Sequence, residues 1–191
     1  MNTTEPTLKR WTRSEYYTMS DMGWFQRRRV ELIDGEIVEM SPQRSFHAAA
    51  LGLVEDVLRA AYGSRFWVRT QRPLDLGIVM EPEPDVAVVE GNPRDYSGSH
   101  PTTALLIVEV SDTTLAYDRG PKASVYAAAG IQDYWILNLI DRHLEVCRVP
   151  IPDPAEPHGF GYSSRTIVGA TASISPLSAP HVSILVSDLL P

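Results

Sequence analysis

The hydrophobic residues of this chain follow two different spacings. Within "SFHAAALGLVEDVLRAAYG" they recur at the period of a helix, and Gly63 can end the segment. The periodic positions are Leu51, Val54, Val57, Leu58 and Ala61. The segment "DRGPKASVYAAAG" is also typical of a helix, with Pro121 near its first turn and Gly130 just past its end. A further short helix is predicted near residue 14, with Ser14 as its N-cap.

Other apolar runs are short and rich in β-branched residues, which is typical of strands. Asp34-Gly35 lies between two such arms in "RVELIDGEIVEM" and predicts a β-hairpin. Three more strands are predicted in "RFWVRTQRPLDLG", "PDVAVV" and "ALLIVEV", and two others around a turn at residues 138–142. After Pro150, the proline-rich stretch "PIPDPAEPHGFGY" predicts a surface loop, followed by one or two short strands.

The order of these elements predicts a mixed α/β fold. A helix, three strands, a second helix and a further strand follow one another, after an N-terminal β-hairpin and before extra C-terminal strands. We therefore expect a central mixed β-sheet flanked by helices. A chain of 191 residues can bury one substantial core, so we expect a single domain over residues 1–191. Residues 14–150 form its predicted core, and residues 151–191 hold the proline-rich loop and the C-terminal strands.

The amino-acid composition excludes several classes of protein. Cys147 is the one cysteine in the sequence, which excludes an intrachain disulfide and a cysteine-rich zinc site. No apolar stretch has the length of a membrane span and the N-terminus lacks a signal-peptide pattern, so we expect no membrane association and a cytoplasmic location. The net charge of −7 argues against a broad electrostatic nucleic-acid binder. A local basic patch or a bound metal could still receive a phosphate.

Two carboxylates stand at the ends of strands that are otherwise apolar. Asp85 begins "PDVAVV", and Glu109 follows the apolar run of "LLIVEVSD", where it shares a strand face with Ser111. A buried carboxylate is costly unless it is paired, hydrogen-bonded or metal-bound. If the two strands are neighbours, both carboxylates converge on one point and suit Mg²⁺ or Mn²⁺. Lys122 lies in the next helix on one face with Tyr126, where its ammonium could stabilise developing negative charge.

Several segments together resemble the Uma-two family of restriction endonucleases: "ELIDGEIVEMSP", "HAAALGLV", "PDVAVV", "LLIVEVSD" and "DRGPKASVYAAAGIQDYWILNL". The resemblance covers roughly residues 14–150. This family belongs to the PD-(D/E)XK nuclease superfamily, so the resemblance implies a restriction-endonuclease-like core and metal-dependent cleavage of DNA. It further implies a homodimer, because many nucleases of this superfamily dimerise to reach both strands.

The resemblance also assigns roles to individual residues. Asp85 would be the PD aspartate and Glu109 the second acid, both of them metal ligands, with the backbone carbonyl of Val110 as a further ligand. The position that usually holds lysine is Ser111 in this sequence. Related proteins can supply that lysine from the following helix, and Lys122 is suitably placed to do so.

Ser111 is an accessory candidate, and so are four further residues. His47, at the start of the first long helix, could bind metal or water, or only cap the helix. Gln71 could hydrogen-bond a metal-bound water, although an amide on a strand is more often structural. Glu31 is a weaker acidic candidate, and Tyr126 joins Lys122 on its helix face. The basic run at residues 26–29 could touch phosphate or form only a solvated face.

These observations lead to one main hypothesis and two rivals. The main hypothesis is an Mg²⁺- or Mn²⁺-dependent endonuclease that hydrolyses DNA through attack by water, with Asp85, Glu109 and Lys122 as its catalytic residues. The first rival is a catalytically inactive binding or assembly module with the nuclease fold, which Ser111 and the acidic composition favour. The second rival is a metal-dependent hydrolase of another phosphoester.

Overall fold

The computed structural model of the protein describes residues 7–191, so residues 1–6 of the predicted domain lie outside the described part. Within residues 7–191 the chain forms ten strands and four α-helical segments. The strands are β1 (Val30–Ile33), β2 (Glu36–Glu39), β3 (Phe66–Thr70), β4 (Val86–Glu90), β5 (Leu106–Ser111), β6 (Asp133–Asn138), β7 (His143–Pro152), β8 (Phe160–Gly169), β9 (Ser173–Ile174) and β10 (Ile184–Leu185). The α-helical segments are α1 (Arg13–Asp21), α2 (Ser45–Tyr62), α3 (Leu115–Tyr117) and α4 (Ala123–Ala128).

Six of the strands form the central sheet, in the order β3-β4-β5-β6-β7-β8. β5 and β6 run parallel, while the other neighbouring pairs are antiparallel. The sheet is therefore mixed, and the predicted mixed α/β class is confirmed. Two small two-stranded sheets, β1-β2 and β9-β10, accompany it, as expected for an N-terminal hairpin and extra C-terminal strands.

Helices pack against both faces of the sheet. α2 buries every fourth residue, and this stripe joins Val108, Val110 and Trp135 in one hydrophobic cluster. The residues of the stripe are Ala50, Val54, Leu58 and Tyr62. α4 belongs to a second cluster, with Ile107 and Ile136 of the sheet. Because neighbouring residues of a strand point to opposite faces, β5 contributes Val108 to the first cluster and Ile107 to the second. Across residues 7–191, no helix is both long enough and apolar enough to cross a membrane.

The N-terminal hairpin forms at the predicted place. Asp34 and Gly35 make its two-residue turn, both with positive φ (48° and 72°), which a tight hairpin turn with a right-handed strand twist requires. An isolated antiparallel bridge between Leu32 and Glu81 connects the hairpin to the segment before β4. This connection brings the buried residues of β1 close to the central sheet.

Two helix boundaries differ from the prediction. α1 begins after Thr12 rather than Ser14, because Thr12 and Glu15 form a reciprocal capping box. The second predicted helix begins earlier, at Leu115, and contains a π-helical turn (Asp118–Lys122) between α3 and α4. Pro121 lies inside this turn rather than near the helix start, and it cannot donate the N–H of a regular α-helix.

The proline-rich loop predicted after Pro150 is much shorter in the structure. β7 continues to Pro152 and β8 begins at Phe160, so only residues 153–159 connect them, and β8 is a ten-residue strand. β7 pairs with β6 only as far as Arg148. Beyond that residue β7 pairs only with β8. A proline, which has no N–H to donate, can therefore turn its nitrogen toward the edge of β7 that has no neighbouring strand.

Candidate active site

The carboxylates of Asp85 and Glu109 lie side by side. β4 and β5 are antiparallel neighbours with Val86 opposite Val108, so the residues just outside this pair meet. The backbone N–H of Asp85 donates to Glu109 Oε2 at 3.2 Å, and the backbone N–H of Val110 donates to Asp85 Oδ2 at 2.9 Å. Two hydrogen bonds from backbone N–H groups to side-chain oxygens therefore hold both carboxylates at one point, where the strand pattern predicted that they converge.

Lys122 reaches the carboxylate of Glu109 from the helix that packs on the sheet. Its Nζ donates to Glu109 Oε1 at 2.9 Å, and the hydroxyl of Tyr126, one helical turn later, donates to the same oxygen at 2.7 Å. Lys122 Nζ also lies 3.6 Å from Glu31 Oε1 on β1. Glu31, Glu109 and Lys122 are each at most 2% exposed. The hairpin, the sheet and the helix thus form one buried ionic cluster.

His47 and Gln71 both lie next to the carboxylate of Asp85. His47 Nε2 lies 3.5 Å from Asp85 Oδ1, and Gln71 Nε2 donates to that oxygen at 3.2 Å. His47 belongs to the first turn of α2, and Gln71 follows β3 directly. Both accessory candidates therefore contact Asp85, and neither contacts Glu109 through a hydrogen bond in residues 7–191.

Ser111 occupies the position predicted for it but does not line the cavity described below. It ends β5 on the same face as Glu109 and is fully buried. The nearby Asp118 was not a predicted candidate, yet it is 3% exposed and accepts a hydrogen bond from Thr114 Oγ1 at 2.6 Å. The spacing of Asp118, four residues before Lys122, was the sequence signal that could have identified it.

Burial and charge shift the ionisation of these groups in different directions. Burial raises the pKa of Glu109 to about 8, although the charge of Lys122 opposes this rise. Burial disfavours a charged Lys122, but the carboxylates of Glu109 and Glu31 outweigh burial and raise its pKa well above the usual value. Burial would raise the pKa of Asp85, but the hydrogen bond with His47 and the charge of Lys122 outweigh burial and lower this pKa. The site therefore favours a charged Lys122 beside an ionised Asp85.

A cavity of about 510 Å³ opens onto the two carboxylates. Asp85, Glu109 and Lys122 form part of its wall, and Arg29 and Arg44 line it as well. Arg44 is exposed and is the N-cap residue of α2, whose first turn contains no acidic residue. The N-terminal end of a helix carries a partial positive charge. An acidic centre thus adjoins positively charged groups in one cavity.

A known protein family and a solved structure are similar to this chain. The sequence profile of Uma2, described as "Putative restriction endonuclease", matches residues 13–179. The chain belongs to the Uma2 family. No curated protein matches its sequence at a significant level. One similar structure is the crystal structure of "a putative nuclease belonging to DUF820" from Anabaena variabilis ATCC 29413, with a TM-score of 0.63 and 15% identity, covering 84% of this chain and 88% of the other.

Family membership confirms the resemblance to the Uma-two family that the sequence motifs indicated. At 15% identity the similarity to the Anabaena structure shows a shared fold alone. The Uma2 match reaches residue 179, beyond the core predicted for residues 14–150. Parts of the C-terminal segment pack into the same cluster as α2, including Ala179, Ile184 and Val186.

The donor atoms of this Uma2 site fit a hard divalent cation. Asp85 and Glu109 offer carboxylate oxygens at one point, and such oxygens are the ligands that Mg²⁺ and Mn²⁺ prefer. Within the described residues, no three side chains of His, Cys, Asp or Glu form a ready-made metal group. The two carboxylates could therefore bind an ion only with help from backbone oxygen, water or phosphate, and Mg²⁺ commonly keeps several waters. Val110 lines the cavity beside them.

Proposed function

We propose that this Uma2 protein is a divalent-metal-dependent endonuclease that hydrolyses phosphodiester bonds in DNA. The observation that supports this most directly is the pairing of Asp85 and Glu109 beside an open cavity. Hydrogen bonds from two backbone N–H groups hold their carboxylates together. The Uma2 family is described as "Putative restriction endonuclease" and the similar Anabaena protein as "a putative nuclease", which is the same class of enzyme.

Asp85 and Glu109 would bind Mg²⁺ or Mn²⁺, with the carbonyl oxygen of Val110 as a third protein ligand. When bound, such an ion polarises a phosphoryl oxygen and lowers the pKa of bound water. His47 and Gln71 contact Asp85 Oδ1, and these contacts would fix the rotation of the Asp85 carboxylate.

Lys122 would act through its ammonium group. This group lies between Glu109 and Glu31, which keep it charged and hold it beside the metal-binding carboxylate. A fixed positive charge at this place stabilises the negative charge that develops on the phosphate in the transition state. Lys122 would thus replace the lysine that related nucleases carry at the position of Ser111.

Arg29 and Arg44 would receive the phosphates that flank the scissile bond. Both line the cavity with the carboxylates, and the guanidinium group binds phosphate with two parallel hydrogen bonds. The N-terminal end of α2 adds partial positive charge at Arg44. These local charges would attract a polyanion despite the net charge of −7.

We further propose that the enzyme acts as a homodimer, since one such cavity reaches one strand of a duplex. A two-fold arrangement would present two equivalent cavities to the two strands. Sedimentation equilibrium at several protein concentrations, with and without a DNA duplex, measures this directly. A monomer under all these conditions contradicts the dimer without affecting the assignment of the cavity.

The decisive experiment measures plasmid cleavage and metal binding in the same preparations. The parent protein should nick or linearise plasmid DNA with Mg²⁺ or Mn²⁺ and not with EDTA. It should also unfold at a higher temperature when the metal is present, because ligands that bind the folded state stabilise it by mass action. Asp85→Asn should lose both effects and stay folded. Asp56→Asn, an exposed change on α2 with the same loss of charge, serves as the matched control.

Other outcomes favour the rival functions. A parent protein that binds metal and DNA but cleaves neither plasmid nor single strands would support a binding module, which the serine at position 111 favours. A parent protein that hydrolyses a small phosphodiester, such as bis-(p-nitrophenyl) phosphate, but leaves every nucleic acid intact would support a different phosphoesterase. Absence of metal binding in the parent protein would contradict the proposal itself.

A further inference from the structure

The edge strand β3 carries a buried arginine that has no acidic partner within the described part of the chain. Arg69 is only 2% exposed, and its Nη2 donates to the carbonyl oxygen of Pro73 at 3.1 Å. Its Nε and Nη1 have no hydrogen-bond partner in residues 7–191, and the guanidinium forms no ion pair there. An unpaired buried charge destabilises a folded protein. Because Arg69 lowers the stability of the fold, we look for a function that would explain its presence.

A second arginine lies on the same aromatic ring. The Cζ atom of Arg69 is 4.7 Å from the centroid of the Trp67 ring, and the Cζ atom of Arg72 is 5.8 Å from it. Arg72 is exposed and likewise has no ion pair among the described residues. Burial and then the charge of Arg72 lower the pKa of Arg69 to about 10, so the Arg69 guanidinium is still charged at neutral pH. The indole thus holds two like charges together.

This arginine pair adjoins the candidate active site. Gln71 immediately precedes Arg72, and the side chain of Gln71 donates to Asp85 Oδ1 at 3.2 Å. The backbone N–H of Gln71 also donates to the carbonyl oxygens of Pro84 and Asp85, at 3.2 and 3.1 Å. Since consecutive Cα atoms are about 3.8 Å apart, the backbone of Arg72 lies next to a residue that contacts the metal-binding carboxylate.

We propose that Arg69 and Arg72, stacked on Trp67, form a second phosphate-binding site that receives the nucleic-acid backbone outside the catalytic cavity. The proposal rests on the proposed nuclease function, because it concerns the path of the same substrate. Arg72, which is exposed, makes the direct contact with phosphate. Arg69 is buried against the same ring and adds a positive charge with which no carboxylate of residues 7–191 forms an ion pair. Phosphate contacts of this kind position a nucleic acid without reading its sequence.

The test measures the affinity for a short fluorescein-labelled DNA duplex as a function of KCl concentration. Ca²⁺ replaces Mg²⁺ so that the duplex stays intact during the measurement. Loss of one phosphate contact should lower the slope of log K against log[salt] by about 0.9, which corresponds to about eightfold weaker binding at about 0.1 M salt. Arg72→Gln should show this change for duplexes of unrelated sequence. Arg165→Gln, on the opposite edge strand β8, should leave the slope unchanged.

Arg69→Met separates a binding role from a structural role. Because the change removes an uncompensated buried charge and keeps the volume of the side chain, the urea midpoint should equal or exceed that of the parent protein, while DNA affinity falls. A lower midpoint with unchanged salt dependence would assign Arg69 to the fold and overturn its part in the site.

The outcomes for the two proposals are distinguishable. If the parent protein cleaves plasmid DNA but Arg72→Gln keeps the parental affinity and salt slope, the second phosphate site is wrong and the nuclease assignment stands. If the parent protein binds no DNA at any salt concentration, both proposals fail together. If Arg72→Gln and Arg165→Gln lower the slope equally, the effect reflects overall charge, and the assignment to this surface is overturned.

Discussion

Replacing Lys122 with methionine removes the ammonium that lies between Glu31 and Glu109. Its Nζ is 2.9 Å from Glu109 Oε1 and 3.6 Å from Glu31 Oε1, and all three side chains are buried. At an effective dielectric constant of about 20, these separations give attractions of about 6 and 5 kcal/mol. Desolvation of the charged groups offsets much of this in the intact cluster. What remains in the variant is a pair of buried carboxyl groups whose ionised forms have lost their counter-charge.

Removing one partner of a buried ion pair typically costs about 3–5 kcal/mol, and we expect Lys122→Met to lower the free energy of unfolding by this amount. Urea unfolding above pH 8, where Glu109 with its pKa of about 8 is ionised in the parent protein, measures the loss as a lower midpoint with an unchanged slope. The sequence contains one other lysine, the exposed Lys9, so Lys9→Met is a control with the same chemical change. Its unfolding midpoint should stay close to that of the parent protein.

The same variant should respond more strongly to divalent metal. In the parent protein Lys122 competes for Glu109 Oε1, whereas in Lys122→Met a divalent ion can neutralise the unpaired carboxylates. The Mg²⁺-dependent rise in melting temperature should therefore be larger in the variant than in the parent protein. A loss of less than about 1 kcal/mol, or a metal response equal to that of the parent protein, would show that Lys122 does not compensate the charge of this cluster.

Three further predictions concern the framework around the site. Asp133 is fully buried and paired with Arg148 at 2.8 Å, so Asp133→Asn should cost about 3 kcal/mol in a urea titration. Arg119 donates to Glu145, and this pairing and other hydrogen bonds outweigh burial and lower the pKa of Glu145. Glu145→Gln should therefore lower the free energy of unfolding by about 1–2 kcal/mol at pH near 7. The loss should become progressively smaller as the pH falls below about 4, where Glu145 of the parent protein is protonated. Gly35 has a φ of 72°, so Gly35→Ala should lower the melting temperature, and an unchanged value would contradict the strain at this turn.

The paired carboxylates could be predicted because their positions follow from local rules. Strand periodicity places Glu109 on one face of β5, and Asp85 stands at the start of the neighbouring strand, so a simple antiparallel pairing brings them together. The helical spacing of Lys122 and Tyr126 likewise predicted that the two share one helix face, and in the structure both donate to Glu109 Oε1. These contacts need only one strand pairing and one helix face.

Other parts of the site depend on contacts between distant segments, which no local pattern contains. Glu31 meets Lys122 only because the bridge between Leu32 and Glu81 docks the hairpin on the sheet. The length of β8 was missed for a related reason. The prolines around it indicate a loop, but their cost depends on which edge of β7 has a neighbour, and that edge is known only once the sheet has formed.

The π-helical turn at Asp118–Lys122 has a consequence for how such a site could be gained or lost. Each residue of an α-helix advances the side chain by about 100° around the axis, so deleting one residue before Lys122 would rotate its ammonium away from Glu109. The lysine could then remain in the sequence while its contact with the carboxylate disappeared. The length of this turn therefore determines the contact between Lys122 and Glu109 as much as the identity of the residue does.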